Sequence, residues 1–198
     1  EVMRRMRKLR SSISPHDSAQ RFRDAGIDVF LGDARFVDQR TVEVDGQRLR
    51  FSKAVVATGA RAAALPIDGF EDVGVLTNET VFSLTELPRR LVVIGGGPIG
   101  CEMAQCFARL GSQVTLVERS SRVLFREDPD ASKILQTAMT RDGVQILLDT
   151  DVASMESRGE EKAVIVRSKQ ETEEIVCDHV LAGIGRVPNV GGMGLEQA

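Results

Sequence analysis

Three glycines at fixed spacing are the residues whose type and position most clearly indicate chemistry. Gly95, Gly97 and Gly100 follow the apolar run 91–94 and precede a helical pattern. Between a strand and a helix, the first glycine permits a tight turn, the second lets the backbone approach a diphosphate, and the third lets the helix pack closely on the strand. The free N–H groups at the helix start would bind the phosphates. The spacing therefore predicts a dinucleotide-binding turn, whose remaining residues are Gly96, Pro98 and Ile99.

An acidic residue at the end of the next apolar run indicates which dinucleotide would bind. Glu118 directly follows the run 114–117. A carboxylate there accepts hydrogen bonds from the hydroxyls of the adenine ribose and repels a 2′-phosphate. Arg119 and Arg122 are close enough to suit that phosphate instead. We therefore expect NAD(H), with NADP(H) as the less favoured alternative.

The cysteines and histidines do not suggest a second kind of site. Cys101, Cys106 and Cys177 show neither a metal-ligand spacing nor a disulfide framework. Free thiols are typical of a reducing cytoplasm, where we expect the protein to lie. We interpret the two histidines, His16 and His179, as structural.

Composition limits the possible partners. A chain of 198 residues with 42% apolar residues can bury a core, and its net charge of −3 gives no reason to expect nucleic acid. Residues 1–25 are basic, which we interpret as a solvated helix face rather than a surface for phosphates. No apolar run reaches the length of a membrane span. The chain begins with Glu1 rather than Met, and we expect it to be a piece of a longer protein.

The elements before the glycine turn are short. Apolar spacing predicts a helix over 2–9, and Ser14-Pro15 predicts the start of a second helix ending near Ala25. The apolar runs 27–31 and 54–57 predict strands.

Between these runs, Asp45-Gly46 within weak alternation over 34–53 predicts a hairpin. Residues 60–87 have the composition of a connecting region. We place the main domain boundary between Leu87 and Pro88, giving domains 1–87 and 88–198.

Beyond Pro88, strand and helix patterns alternate. Strands are predicted over 91–94, 114–117 and 144–148, and helices over 98–110 and from Asp128-Pro129 to Gly143. Further short strands are predicted over 163–166, 174–177 and 180–182. This order predicts an α/β fold, a Rossmann-like three-layer domain with a central parallel sheet and a β-meander.

Four stretches resemble the pyridine nucleotide–disulfide oxidoreductases, the flavoproteins that include glutathione reductase, lipoamide dehydrogenase and mercuric reductase. They are 54–60 (AVVATGA), 76–84 (LTNETVFSL), 95–102 (GGGPIGCE) and 183–189 (GIGRVPN). The second stretch, with 125–129 (FREDP), is most similar to the mercuric-reductase-like branch. The resemblance implies that residues 88–198 form the NAD domain and that residues 1–87 are part of an FAD-binding domain.

The resemblance also implies roles for individual residues. Glu102 would face the junction of nicotinamide and flavin as the catalytic residue. The other implied contacts are Thr58, Gly59 and Ala60 along the FAD, Val152 and Gly185 beside the NAD, and Arg186 toward the flavin. The family's redox-active cysteine pair, first FAD glycine motif and dimer domain have no counterpart in these residues. We therefore expect the fragment alone to be inactive and the intact parent to be a homodimer.

The expected activity is transfer of a hydride from NADH to FAD and onward to an acceptor. The acceptor stays open among mercuric ion, a small disulfide, a quinone and oxygen. A non-catalytic module that senses NAD(H) and regulates a partner is the alternative interpretation.

Overall fold

The computed structural model describes residues 1–169 and 171–198, and the chain divides into two compact units. Unit 1 comprises Glu1–Arg61 and Pro188–Ala198, and unit 2 comprises Ala62–Val187. The boundary that the sequence placed at 87/88 falls inside unit 2, because part of the expected connecting region runs along the sheet of that unit. There the Leu76 N–H donates to the Val180 carbonyl at 2.8 Å, and the Ala182 N–H donates to the Leu76 carbonyl at 2.8 Å.

Unit 1 begins with two helices, α1 (Val2–Ile13) and α2 (Ala19–Asp24). A 3₁₀ turn, Ser14–Asp17, lies between them. The second helix therefore starts later than Ser14-Pro15 predicts, because the Ser18 hydroxyl caps it by accepting the Arg21 N–H at 3.2 Å.

A three-stranded antiparallel sheet follows, in the order β1 (Ala34–Asp38), β2 (Thr41–Val44), β3 (Gln47–Arg50). The predicted hairpin is confirmed, since Val44 pairs with Gln47 across a two-residue turn. Both turn residues have positive φ, 46° at Asp45 and 84° at Gly46, as a type I′ turn requires. A segment near the end of the chain also contacts this sheet, because the Phe36 N–H donates to the Met193 carbonyl at 2.8 Å.

Two predicted strands are wrong. Residues 27–31 and 54–57 lie outside regular strands, and most of their apolar side chains are exposed, 70% at Leu31 and 90% at Val55. Apolar, β-branched runs favour extended backbone, but a strand also needs a hydrogen-bonded neighbour. Within the described residues neither run has one.

The remaining elements complete the chain. Two short strands, β4 (Ala60–Ala62) and a last one at Arg186–Pro188, each continue the chain from one unit into the other. Short 3₁₀ helices lie at Val81–Ser83 and Leu195–Gln197.

Unit 2 contains a four-stranded parallel sheet with helices in the predicted places. Its strands are β5 (Arg90–Ile94), β6 (Gln113–Val117), β7 (Val144–Leu147) and β11 (His179–Ala182), in the order β11-β5-β6-β7. Helix α3 (Pro98–Leu110) follows β5, and α4 (Pro129–Arg141) follows β6. The predicted end of α3 is confirmed, since Gly111 follows the helix with φ 107°. The predicted start of α4 is also confirmed, since the Asp128 side chain caps it by accepting the Asp130 N–H at 2.8 Å.

An antiparallel meander forms the third layer of unit 2. Its strands are β8 (Asp151–Arg158), β9 (Glu161–Arg167) and β10 (Thr172–Cys177), in the order β10-β9-β8. The sequence did not predict β8, because a register shift between Val152 and Ser154 interrupts its alternation.

The parallel sheet is buried on both faces. On β5, Val92 and Ile94 belong to the apolar cluster shared with the meander, whereas Val93 lies near Gly100 of α3. Successive side chains of a strand point to opposite faces, so a continuous apolar run is what a sheet covered on both sides requires. The fold is therefore the predicted α/β arrangement of helices, parallel sheet and meander.

Candidate functional site

The glycine turn lies at the carboxyl edge of the parallel sheet, between β5 and α3. Gly95 has φ 97°, and a Cβ there would lie 2.7 Å from the Gly183 carbonyl oxygen. A Cβ on Gly100 would overlap the Gly95 carbonyl oxygen, and one on Gly183 would lie 3.0 Å from the Cα of Gly100. The turns after β5 and β11 are therefore in backbone contact. Contacts inside the protein account for these three glycines.

Gly97 is different because no such contact requires a glycine there. Its φ of −74° and ψ of 179° are accessible to any residue. Among the described residues outside its own turn and helix, the nearest atom to a Cβ would be the Gly183 oxygen at 3.8 Å. Gly97 is the N-cap of α3, and no side chain in the described part of the protein caps this helix. The N–H groups of its first turn lack intrahelical acceptors and carry the positive end of the helix dipole. The arrangement leaves open space beside donors suited to an anion.

Glu118 lies against the glycine turn. Its Oε2 accepts the Gly96 N–H at 2.5 Å, and its Oε1 accepts the Ser120 N–H at 2.7 Å. A Cβ on Gly96 would lie 3.1 Å from the Glu118 Cγ, so the glycine makes room for this side chain. The structure thus brings the predicted acidic residue and the predicted turn together. Sequence reasoning did not identify Ser120, since nothing in its type distinguishes it from other serines.

Cys101 lies behind the turn, on the buried side of α3. Its Sγ is 3.3 Å from the Gly96 carbonyl oxygen, and only 3% of the residue is exposed. Burial raises the pKa of the Cys101 thiol to about 11, and the carboxylates of Glu118 and Glu102 add to the shift. The thiol therefore stays protonated near neutral pH. All three cysteines are free, and Cys106 is exposed.

Glu102 lines a cavity of about 430 Å³ between α3 and α4. The wall also includes Pro98 at the first turn of α3, Leu124 before α4, and Leu135 on α4. Glu102 itself is exposed. The predicted catalytic carboxylate is therefore accessible and lies one helical turn from the glycine turn.

Two other predicted contacts of unit 2 also follow strands of the parallel sheet. Val152 is partly buried in β8, shortly after β7 ends, and pairs with Val166. Gly185 follows β11 with φ 112°, and its carbonyl accepts the Ala63 N–H at 3.1 Å. In parallel sheets, ligands bind at the carboxyl ends of strands. Arg186 is exposed directly after Gly185.

In unit 1, Thr58 and Gly59 are fixed by Asn189, far along the chain. The Thr58 Oγ1 donates to the Asn189 carbonyl at 2.6 Å, and the Asn189 Nδ2 donates to the Thr58 carbonyl at 3.1 Å. The Asn189 N–H donates to the Gly59 carbonyl at 3.0 Å. Gly59 has φ 69° with open space on its Cβ side, and Ala60 begins β4. Sequence reasoning gave no role to Asn189, although it ends one of the four resembling stretches.

The described residues contain no group of three or more histidine, cysteine or acidic side chains arranged to hold a metal ion. Among them, no helix has both the length and the apolarity needed to cross a membrane.

Fold and site together define the class of the protein. A parallel βαβ unit with its glycine turn and strand-end carboxylate is characteristic of dinucleotide-binding α/β domains. Residues 5–198 match the pyridine nucleotide-disulphide oxidoreductase family, and the chain belongs to that family.

Relatives and solved structures agree with this membership. The chain is 38% identical over 172 residues to the mercuric reductase of Lysinibacillus sphaericus, covering 87% of this chain and 32% of that protein. It is similar to the HOCl-induced flavoprotein disulfide reductase of Escherichia coli, with TM-score 0.77 and 33% identity over 87% of this chain and 39% of that chain. It is also similar to LpdA of Mycobacterium tuberculosis, with TM-score 0.85 and 28% identity over 100% of this chain and 44% of that one. The chain thus spans about a third of the length of the mercuric reductase.

Proposed function

We propose that unit 2 binds NAD(H) at the turn from Gly95 to Gly100. The observation that carries this proposal is the open approach to Gly97. The neighbouring glycines are needed for contacts within the protein, whereas at Gly97 the missing side chain leaves space in front of uncapped helix amides. A diphosphate supplies the negative charge and the acceptor oxygens that these amides lack.

Glu118 supports NAD(H) rather than NADP(H). One amide hydrogen bond to each oxygen orients its carboxylate, and an ionised carboxylate has acceptor capacity beyond two hydrogen bonds. The remaining capacity suits ribose hydroxyls, while the negative charge disfavours a 2′-phosphate.

For the whole protein we propose an FAD-dependent NADH oxidoreductase, active as a homodimer in the cytoplasm. Residues 1–87 would contribute to the FAD domain, with Thr58, Gly59 and Ala60 along the flavin and Arg186 directed toward it. Residues 88–198 would hold NADH, with Val152 and Gly185 beside it. When both cofactors are bound, NADH supplies a hydride that the flavin accepts and passes on as electrons. The final acceptor is a disulfide or another oxidant.

The chain's own contribution to this reaction is binding and orientation. Glu102 is accessible beside the glycine turn, and we propose that its carboxylate adjusts the polarity of the pocket where nicotinamide and flavin meet. We assign Cys101 no redox role, since burial and a raised pKa give its thiol little thiolate character.

Titration of the chain with NADH and with NADPH, followed by calorimetry, tests the nucleotide assignment. We expect saturable binding of NADH with a smaller dissociation constant than that of NADPH. If neither NADH nor NADPH produces heat of binding, the proposed nucleotide site is wrong. Equal or tighter binding of NADPH would overturn only the role of Glu118.

A further inference from the structure

The carbonyl of Gly96 is held by two donors from different parts of unit 2. The Leu124 N–H donates to this oxygen at 2.7 Å, and the Cys101 Sγ lies 3.3 Å from it. Leu124 has φ 47°, a left-handed conformation that costs a non-glycine residue energy. The Leu124 N–H and the Cys101 thiol therefore converge on the Gly96 carbonyl in the centre of the glycine turn. Leu124 makes its hydrogen bond from an unfavourable backbone conformation.

Holding this oxygen also orients the next N–H group. The peptide unit between Gly96 and Gly97 is planar and trans, so its C=O and N–H point in opposite directions. Within the described part of the chain, the Gly97 N–H donates to no other group, and an added Cβ at this residue would meet only an ordinary van der Waals contact. Fixing the Gly96 oxygen on the protein side therefore aims the Gly97 N–H away from it.

We propose that Cys101 is a positioning residue for the diphosphate-binding turn, its thiol acting with the Leu124 N–H to hold the Gly96 carbonyl so that the Gly97 N–H faces the ligand phosphates. This inference rests on the proposed NAD(H) site. It requires a thiol that keeps its proton, because a thiolate cannot donate a hydrogen bond. Burial of Cys101 and its raised pKa, about 11, meet that requirement.

The effect belongs to the diphosphate rather than to the whole coenzyme. The ribose contact falls to Glu118, whose hydrogen bonds involve the Gly96 N–H and Ser120, not the Gly96 carbonyl. Loss of the thiol donor should therefore weaken the binding of ligands that carry a diphosphate and leave the binding of a ligand without one unchanged.

The experiment compares Cys101→Ala, Cys101→Ser and Cys101→Val with the control Cys106→Ala, which changes an exposed thiol on the same helix. NADH and ADP-ribose carry the diphosphate, and adenosine, measured by competition, does not. The removed hydrogen bond predicts about a three- to tenfold weaker binding of NADH and ADP-ribose to Cys101→Ala. Cys101→Ser restores a donor and should bind within about twofold of the unchanged chain, as should Cys106→Ala.

Thermal unfolding of each variant separates positioning from folding. If Cys101→Ala does not fold, Cys101→Val, which fills similar space without a donor, decides the question. Unchanged NADH affinity in the folded variant without a donor overturns the inference. The inference is also overturned if adenosine binding weakens as much as NADH binding, or if Cys101→Ser does not recover NADH affinity. Either result indicates a general packing role for Cys101. If the unchanged chain binds neither NADH nor ADP-ribose, the proposed nucleotide site itself fails.

Discussion

Replacing Gly97 by alanine separates what the fold needs from what a ligand needs. Among the described residues outside its own turn and helix, the nearest atom to the added Cβ would be the Gly183 oxygen at 3.8 Å, which is ordinary van der Waals contact. The backbone at φ −74° and ψ 179° suits alanine. Alanine is a poorer N-cap than glycine, but it also reduces the entropy of the unfolded chain. These effects oppose each other, so we expect the free energy of unfolding to change by no more than about 0.5 kcal/mol.

The same methyl group should strongly weaken coenzyme binding. It would occupy the space through which the diphosphate approaches the first-turn amides, and overpacking of this kind costs about 1–3 kcal/mol. At about 1.4 kcal/mol for each tenfold change, the dissociation constant of NADH should rise by about five- to 150-fold.

Calorimetric titration with NADH and a thermal unfolding curve on the same preparation test both halves of this prediction. Wild-type-like NADH affinity in a folded Gly97→Ala chain would refute the reasoning, because the open space would then have no relation to a ligand. A large loss of stability in Gly97→Ala would also contradict the reasoning, because it would show that the fold itself needs a glycine at this position.

Three further predictions concern other parts of unit 2. Gly100→Ala should lower the midpoint of thermal unfolding even without a ligand, because its Cβ overlaps a carbonyl oxygen of the turn. Burial opposes ionisation of Asp178, but hydrogen bonds from the Arg90 side chain and nearby backbone amides outweigh it and lower the pKa of that carboxyl. The resulting stabilisation is complete above the pKa of the unfolded state, near 3.8, and is lost as pH falls through the lower folded pKa. In Asp178→Asn, the free energy of unfolding should therefore depend less on pH in that range. A thiol reagent followed by peptide mapping should label Cys106 first; faster labelling of the buried Cys101 would contradict its protonated state.

The features that the sequence predicted correctly are those whose signals lie close together along the chain. The turn residues Asp45-Gly46 and the first glycine of the later turn, Gly95, have positive φ, a requirement that acts at their own positions. Helix α3 begins at Pro98 and ends before Gly111, as these residue types predict. Such signals need no knowledge of distant residues.

The features that sequence reasoning missed depend on pairing between distant segments. Leu76 belongs to unit 2 because its backbone forms hydrogen bonds with residues of β11, and no property of residue 76 alone indicates this. Residues 27–31 have the composition of a strand, but strand formation depends on a partner. The bulge in β8 hides an alternation that periodicity would otherwise detect.

The Glu118 carboxylate shows what the structure adds to a sequence prediction. Position at a strand end suggested a ribose contact but could not say how the side chain would be oriented. The Gly96 and Ser120 amides hold one oxygen each, so the carboxylate is ordered before any ligand arrives. A side chain that is already ordered loses little conformational freedom on binding, and more of the hydrogen-bond energy then remains as affinity. The Gly96 N–H belongs to the peptide unit before the one that carries the Gly97 N–H, so the proposed contacts for ribose and diphosphate involve consecutive peptide units of one turn.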